Sequence, residues 1–484
     1  MALTDLPPEL LLRVSAFLTT SELGKFRLTS KNIEAILFDS FAREFFTKKQ
    51  FMLEQLSLQA LIDISNHPTL ASRLSEVVIS THIFPSDPDI ISTGKALHNN
   101  AYVSHDVLMA SGQAVHMLSE AFSKLSNLRT VGLRDYNASG RYRDGEFATW
   151  KSWGWSFAWD GLPGYDANSL HGQRDLRTTF PAPILPVLFY ALGHAKVVPE
   201  SIHVFLRKRP KLNQQSFNIL DGYLGEKIRP VLGNMKELML AIDNTTGPYY
   251  YQNIMACTKP ETVNTIPLAR LLHHTPKLET LRLNFEPSQP FVSGFIGWLG
   301  SPANSVALPQ LTALELGMLT VPAAKLLKVL TKFDLESFSL WKVKLYGSSL
   351  SDPENCWQAL LKDLATTLKQ KTRLKSVLIG FPTQLTCRRD DEDVCYFKPV
   401  GASDEDITVG DENISGMTQQ AKHYAGPGTS MVEWLEELSK RIYVPPPEDD
   451  MVSLHSDDEG LDDGEGQDED NDDDDEDDDG DDDN

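Results

Sequence analysis

Asp475, Asp477 and Asp479, followed by Gly480, have the spacing of the first half of a calcium-binding loop. The bidentate Glu that closes such a loop would fall past Asn484, and no helix flanks the run, so calcium is not expected there. His273 and His274 are adjacent, and neighbours on a helix point to different sides, which makes them poor joint metal ligands. Cys257, Cys356, Cys387 and Cys395 form no C-x-x-C pair and, with no secretion signal beside them, read as reduced thiols of the cytosol or nucleus. A G-x-S-x-G elbow, an H-E-x-x-H helix, a phosphate-binding loop and a G-x-G-x-x-G turn are all missing. The expectation is a chain that binds rather than catalyses, with no metal and no cofactor.

Recognition residues are easier to find. Leu6, Leu10, Val14, Leu18, Leu23 and Leu28 form an apolar stripe too large for one small helical unit to hide. The window 147–159, FATWKSWGWSFAW, holds four of the eight tryptophans: Trp150, Trp153, Trp155 and Trp159. Gly154 interrupts any helix there, and aromatics on both sides of it favour an insertion packed on the body. Where exposed, these rings are the candidate partner anchors, because Trp is enriched in interface hot spots. Arg207-Lys208-Arg209-Pro210-Lys211 reads first as solvated surface charge, with an import signal or a dock for acidic sequence as alternatives. Ser456, followed three residues later by Glu459, is a candidate acidophilic phosphosite.

The 484 residues carry a formal charge of -23, but unevenly. Residues 448–484 hold 23 acids and no Lys or Arg, leaving 45 acids against 45 bases in residues 1–447. An electroneutral body argues against direct nucleic-acid binding, and like-charge repulsion predicts a disordered acidic tail over 445–484. No stretch approaches the roughly 18 apolar residues of a membrane span, and Asp5 and Glu9 stand where a signal peptide is basic. The expected location is cytoplasmic, nuclear or both.

The elements that must position these residues are legible from periodicity. Pro7 and Pro8 suit a first helical turn, with Leu10, Val14, Phe17 and Leu18 at i, i+4, i+7 and i+8. Ser21 is a candidate N-cap of a second helix. Ser30 is one for a third, with Ile33, Ile36, Leu37, Phe41 and Phe45 on one face. Further on, the template apolar-x-x-apolar-x-apolar recurs at 74–79, 128–133, 235–240, 278–283, 311–316, 335–340 and 374–379, and residues 199–204 are a degenerate candidate. This is the strand pattern of a leucine-rich repeat with irregular, insertion-bearing spacing, and amphipathic helices at 322–330 and 357–368 lie between strands. Residues 382–428 read as a long loop. A helix from Ser430 to Ile442, with the capping box Ser430-x-x-Glu433, reads as the cap of the array.

The run Leu6-Pro7-Pro8-Glu9-Leu10-Leu11-Leu12-Arg13-Val14 resembles the opening of an F-box, and Phe17-Leu18, Ser21-Glu22-Leu23 and Phe26-Arg27-Leu28-Thr29-Ser30-Lys31 fall at that family's spacings. The match covers about a tenth of the chain, with Thr29 where the family has Val or Ile and Ile33 where an aromatic is common. The resemblance to F-box proteins of fungal type with degenerate leucine-rich repeats implies the following arrangement. The fold is an α/β repeat: a three-helix F-box at 1–48, an irregular leucine-rich-repeat solenoid at 49–381 with a Trp-rich insertion at about 140–180, the loop, a capping helix at 429–444 and the tail. The implied function is that of a non-catalytic substrate receptor of an SCF-type (Skp1–cullin–F-box) ubiquitin ligase. Leu6, Pro7, Glu9, Leu10, Val14, Leu18, Leu23 and Leu28 would bind the Skp1-type adaptor, and the repeats a target protein. The alternative is an acidic-tailed leucine-rich-repeat protein that binds histones or other basic proteins through the tail.

Overall fold

In the computed structural model the described residues are 6–444 apart from 83–95, 155–180, 208–210, 222, 224, 244–262, 287–289, 303–304, 348–354, 370–372, 386–391, 399–421 and 427. The chain divides into Met1–Pro445 and Pro446–Asn484, and every described residue belongs to the first unit. Trp155, Trp159, Ser456 and the acidic tail lie outside the described residues.

Three helices open the chain: α1 (Pro8–Ser15), α2 (Thr20–Leu28) and α3 (Lys31–Phe46). Pro7 leads into α1, where a missing N–H costs nothing. The cap of α2 is Thr19 rather than Ser21: its hydroxyl accepts from the Glu22 N–H while the Glu22 carboxylate accepts from the Thr19 N–H, a reciprocal pair that Ser21, inside the helix, cannot make. Ser30 caps α3 as expected. Leu11, Leu23, Ile33, Leu37 and Phe45 form a small core of their own.

Only Thr47 separates α3 from β1 (Lys48–Met52), the first strand of a ten-stranded sheet. The strands follow in chain order: β2 (Glu76–Ser80), β3 (Thr130–Arg134), β4 (Ser201–Phe205), β5 (Glu237–Ile242), β6 (Thr280–Phe285), β7 (Ala313–Gly317), β8 (Ser337–Trp341) and β9 (Ser376–Gly380), each parallel to the one before. The tenth, β10 (Lys422–Ala425), is antiparallel to β9. The seven template segments end in β2, β3 and β5–β9, and the degenerate segment in β4. Their apolar positions are buried: Leu281, Leu283 and Phe285 on β6 alternate with half-exposed Thr280, Arg282 and Asn284.

Helices between strands cover the apolar face, among them Gln113–Lys124, Pro181–Ala195, Pro267–His273, Ala323–Lys332 and Cys356–Leu368. Their buried side chains join those of the strands in one continuous core. A second set of short strands, Thr320–Pro322, Lys344–Tyr346, Thr383–Leu385 and Glu392–Val394, makes a smaller sheet.

Three further readings need correction. Residues 382–428 are not all loop: Thr383–Leu385, Tyr396–Phe397 and β10 pair with strands outside the stretch, and Glu392–Val394 folds back antiparallel on Thr383–Leu385. No local apolar period announces such short strands; the partner edge supplies the hydrogen bonds that hold them. The last helix runs Gly428–Arg441, so Ser430 sits within its first turn and is not its cap. The basic cluster is not solvated at its far end: Lys211, 5% exposed, pairs with Glu286 at 2.7 Å, whereas Arg207 is exposed and stacks 3.7 Å from the Tyr136 ring centroid, and 208–210 lie outside the described residues.

Candidate functional site

The first candidate surface is the three-helix unit. On α1 the positions four and seven apart separate cleanly. Leu11 and Ser15 point into the core, while Leu10, Val14 and Phe17 are 46%, 42% and 82% exposed. Leu12 and Leu28 are exposed as well, Leu28 to 88%. Pro7 and Glu9 are exposed, whereas Leu6 and Leu18 are partly buried against the small core. Leu23, expected on the docking stripe, is 4% exposed and belongs to that core, so it is unavailable to a partner. Helical spacing alone could not divide the Leu10-Leu11-Leu12 run, because α3 decides which side is inside.

The unit is stapled at several points. Arg27 forms a two-pronged pair with Glu34, joining α2 to α3, and its guanidinium lies 3.2 Å from the Phe41 ring centroid. A second clamp comes from the Trp-rich region, unforeseen from sequence. Arg143, its side chain 11% exposed, donates to the carbonyls of Ser15 (2.9 Å) and Leu18 (2.6 Å) and pairs doubly with Glu44 of α3. The neighbouring Asp144 carboxylate accepts from the backbone N–H and the hydroxyl of Thr20, where the helix dipole of α2 favours a negative charge. Truncation of Arg143 to Ala is expected to cost about 2 kcal/mol, the scale of charge-assisted bonds lost from a mostly buried group. Hydrogen exchange checks this: amides of 15–28 should exchange faster while those of β3–β6 keep their protection. Unchanged exchange in 15–28 would count against the clamp.

Trp150 and Trp153 are the described members of the aromatic window. The segment is extended rather than helical: Thr149–Trp150 pairs with Ala138–Ser139, and Trp153 pairs alongside Phe51 on the free edge of β1. The Trp153 N–H donates to the Gln50 carbonyl, and its own carbonyl accepts from the Met52 N–H and the Ser57 hydroxyl. The insertion thereby covers an edge strand that would otherwise expose its backbone. Gly154 follows at φ 98°, turning the chain where a Cβ would crowd Ser57 and Met52.

Lys49 of β1 lies beneath these rings. It is 9% exposed, with its ammonium 4.6 Å from the Phe46 centroid, 5.8 Å from Trp150 and 5.5 Å from Trp153. Burial, aided by the Arg141 guanidinium, holds its pKa down to about 8 from an ordinary 10.5. The unfolded chain keeps this proton up to 10.5, so below pH 8 the folded state carries the full penalty of a buried charge, about 3 kcal/mol. Between 8 and 10.5 folding releases the proton, and this residue's contribution to stability improves as pH rises. Lys49→Met is expected to raise stability at pH 7, with the gain fading toward pH 10.5. Denaturant midpoints of both proteins at the two pH values check it; a gain equal at both would refute the assignment.

The third surface is the open side of the sheet, where half-exposed Met239, Arg282, Glu315, Ser339 and Leu378 align across β5 to β9. Arg282 stands 3.6 Å from Glu315, and His203 is bonded to Glu237 at 2.8 Å. Trp341, 39% exposed, meets Phe381 edge-on at 5.0 Å. His273 and His274 engage separate partners, Asn264 and Arg229. Among the described residues no cluster of His, Cys, Asp or Glu could hold a metal ion, and no helix is long and apolar enough to cross a membrane.

Residues 3–40 match the F-box domain family. No curated protein matches the chain.

Proposed function

We propose that this F-box protein is the substrate receptor of an SCF-type ubiquitin ligase, holding a Skp1-type adaptor on its first three helices and a target protein on the sheet. The observation that carries this reading is the F-box match over residues 3–40, on a unit that leaves Leu10, Leu12, Val14, Phe17 and Leu28 open to solvent. Large apolar groups on so small a unit are a partner surface by default. The F-box implies docking to the adaptor and through it to the cullin.

Transfer of ubiquitin to a lysine belongs to other subunits in this reading. The chain contributes position: a target held near the charged conjugating enzyme reacts at a high effective concentration. Positioning requires stiffness between the two binding surfaces. The direct passage from α3 through Thr47 into β1, and the Arg143–Asp144 clamp, supply it. In this reading the strand–helix units are degenerate leucine-rich repeats whose half-exposed strand positions face the target, with Trp341 as an aromatic anchor. Co-purification with a Skp1-type adaptor tests the proposal, and the decisive variant is Leu10→Asp combined with Val14→Asp.

A further inference from the structure

Lys49 has no counter-ion among the described residues, although it is 9% exposed. Buried cations are ordinarily paired, and three aromatic rings offset only part of the hydration an ammonium loses. The nearby acids are committed elsewhere: Glu44 to Arg143, Asp144 to Thr20, and Glu76 to Lys48. Beside Lys49 lies a cavity of about 310 Å³, walled by Trp150, Trp153 and Gly154 and bordered by Lys151 and Ser152. That volume is at the lower end of sites that enclose a small ligand.

We propose that this cavity docks a carboxylate borne by a polypeptide, with the carboxylate on the Lys49 ammonium and the attached apolar chain against the Trp150 and Trp153 rings. Of the two lysines that line the site, Lys151 is exposed and Lys49 is buried, and one buried ammonium within an aromatic wall matches a monoanion with an apolar body. An ammonium also holds phosphate as a point charge, but the planar, bidentate recognition that favours phosphate comes from a guanidinium fork. Arg141, the nearest guanidinium, is engaged with rings, 4.0 Å from the Phe45 centroid and 4.9 Å from that of Trp150. As a carboxylate site the cavity stands on its own geometry; its identification as part of the target-binding surface rests on the receptor reading. A target end held here sits on β1, next to the adaptor-docking helices.

The test uses the full chain labelled with 15N-tryptophan, the indole signals of Trp150 and Trp153 being assigned by single Trp→Phe variants. N-acetyl-leucine, with a chain-end carboxylate, and N-acetyl-glutamate amide, with a side-chain carboxylate, are titrated separately against N-acetyl-leucine amide and inorganic phosphate. A saturable shift of the two indole signals with either carboxylate probe, absent with the amide, is expected. The probe that binds more tightly identifies chain end or side chain. Affinity should fall at least about tenfold in Lys49→Met and persist in Lys49→Arg. The remaining indole signals report whether each variant is folded. Equal shifts with the amide, stronger binding of phosphate, persistence in a folded Lys49→Met or no shift at all would each overturn the proposal. Adaptor capture, measured on the same samples, separates this outcome from failure of the receptor reading.

Discussion

Leu10→Asp combined with Val14→Asp is expected to abolish capture of a Skp1-type adaptor while the sheet stays folded. The two residues sit one turn apart on the outer side of α1 and are already 46% and 42% exposed, so polar replacements cost the free chain little. In a complex each loses an apolar anchor, typically about 2 kcal/mol, and each new carboxylate is buried without a partner. Together these exceed about 4 kcal/mol, roughly a thousandfold in affinity. Leu11→Asp makes the contrast: Leu11 is 0% exposed, and its replacement should unfold the three-helix unit itself. Titration calorimetry against the adaptor, with hydrogen exchange of α3 as the folding control, reads both effects. Retention of adaptor by the double variant would sink the receptor reading.

Trp357→Ala is expected to cost about 3–5 kcal/mol in stability without weakening adaptor capture under native conditions. The Trp357 ring is 0% exposed, and its Nε1 donates to the Thr383 carbonyl at 2.8 Å, tying the helix Cys356–Leu368 to the smaller sheet. Truncation leaves a cavity and orphans a carbonyl. That helix packs against Ala323–Lys332 and Gly428–Arg441, far along the strand array from the first three helices. Its loss should therefore loosen the β8–β10 end first, as expected where each unit contacts mainly its neighbours. Denaturant unfolding checks the magnitude, and exchange rates locate it. A cost below about 1 kcal/mol would mean the site collapses around the vacancy.

Much of the strand and helix order was legible because it rests on local period. The segments at 74–79, 278–283 and 374–379 share the spacing apolar-x-x-apolar-x-apolar, and a recurring local spacing can be read without the fold. β1 escaped notice for the same reason. Its sequence KKQFM has no alternation, and its burial pattern arises from α3, α4 (Gln55–Asn66) and the Trp153 segment. Of the proposed docking residues, Leu10 and Val14 are outward and Leu23 inward, a division that no spacing within 6–28 encodes.

Sequence by itself determined the secondary elements with a strong period, the charge asymmetry between body and tail, and the F-box pattern over the first three helices. Each is a property of neighbouring residues, so each survives without knowledge of the fold. Tertiary structure decided which apolar groups remain open, how Arg143 and Asp144 reach back more than a hundred residues to Leu18 and Thr20, and why Lys49 is a buried cation. Those features depend on desolvation and on hydrogen bonds between distant segments. Desolvation is set by what packs against a side chain in space, and the residues that bury Lys49 lie on either side of an intervening stretch of about a hundred positions.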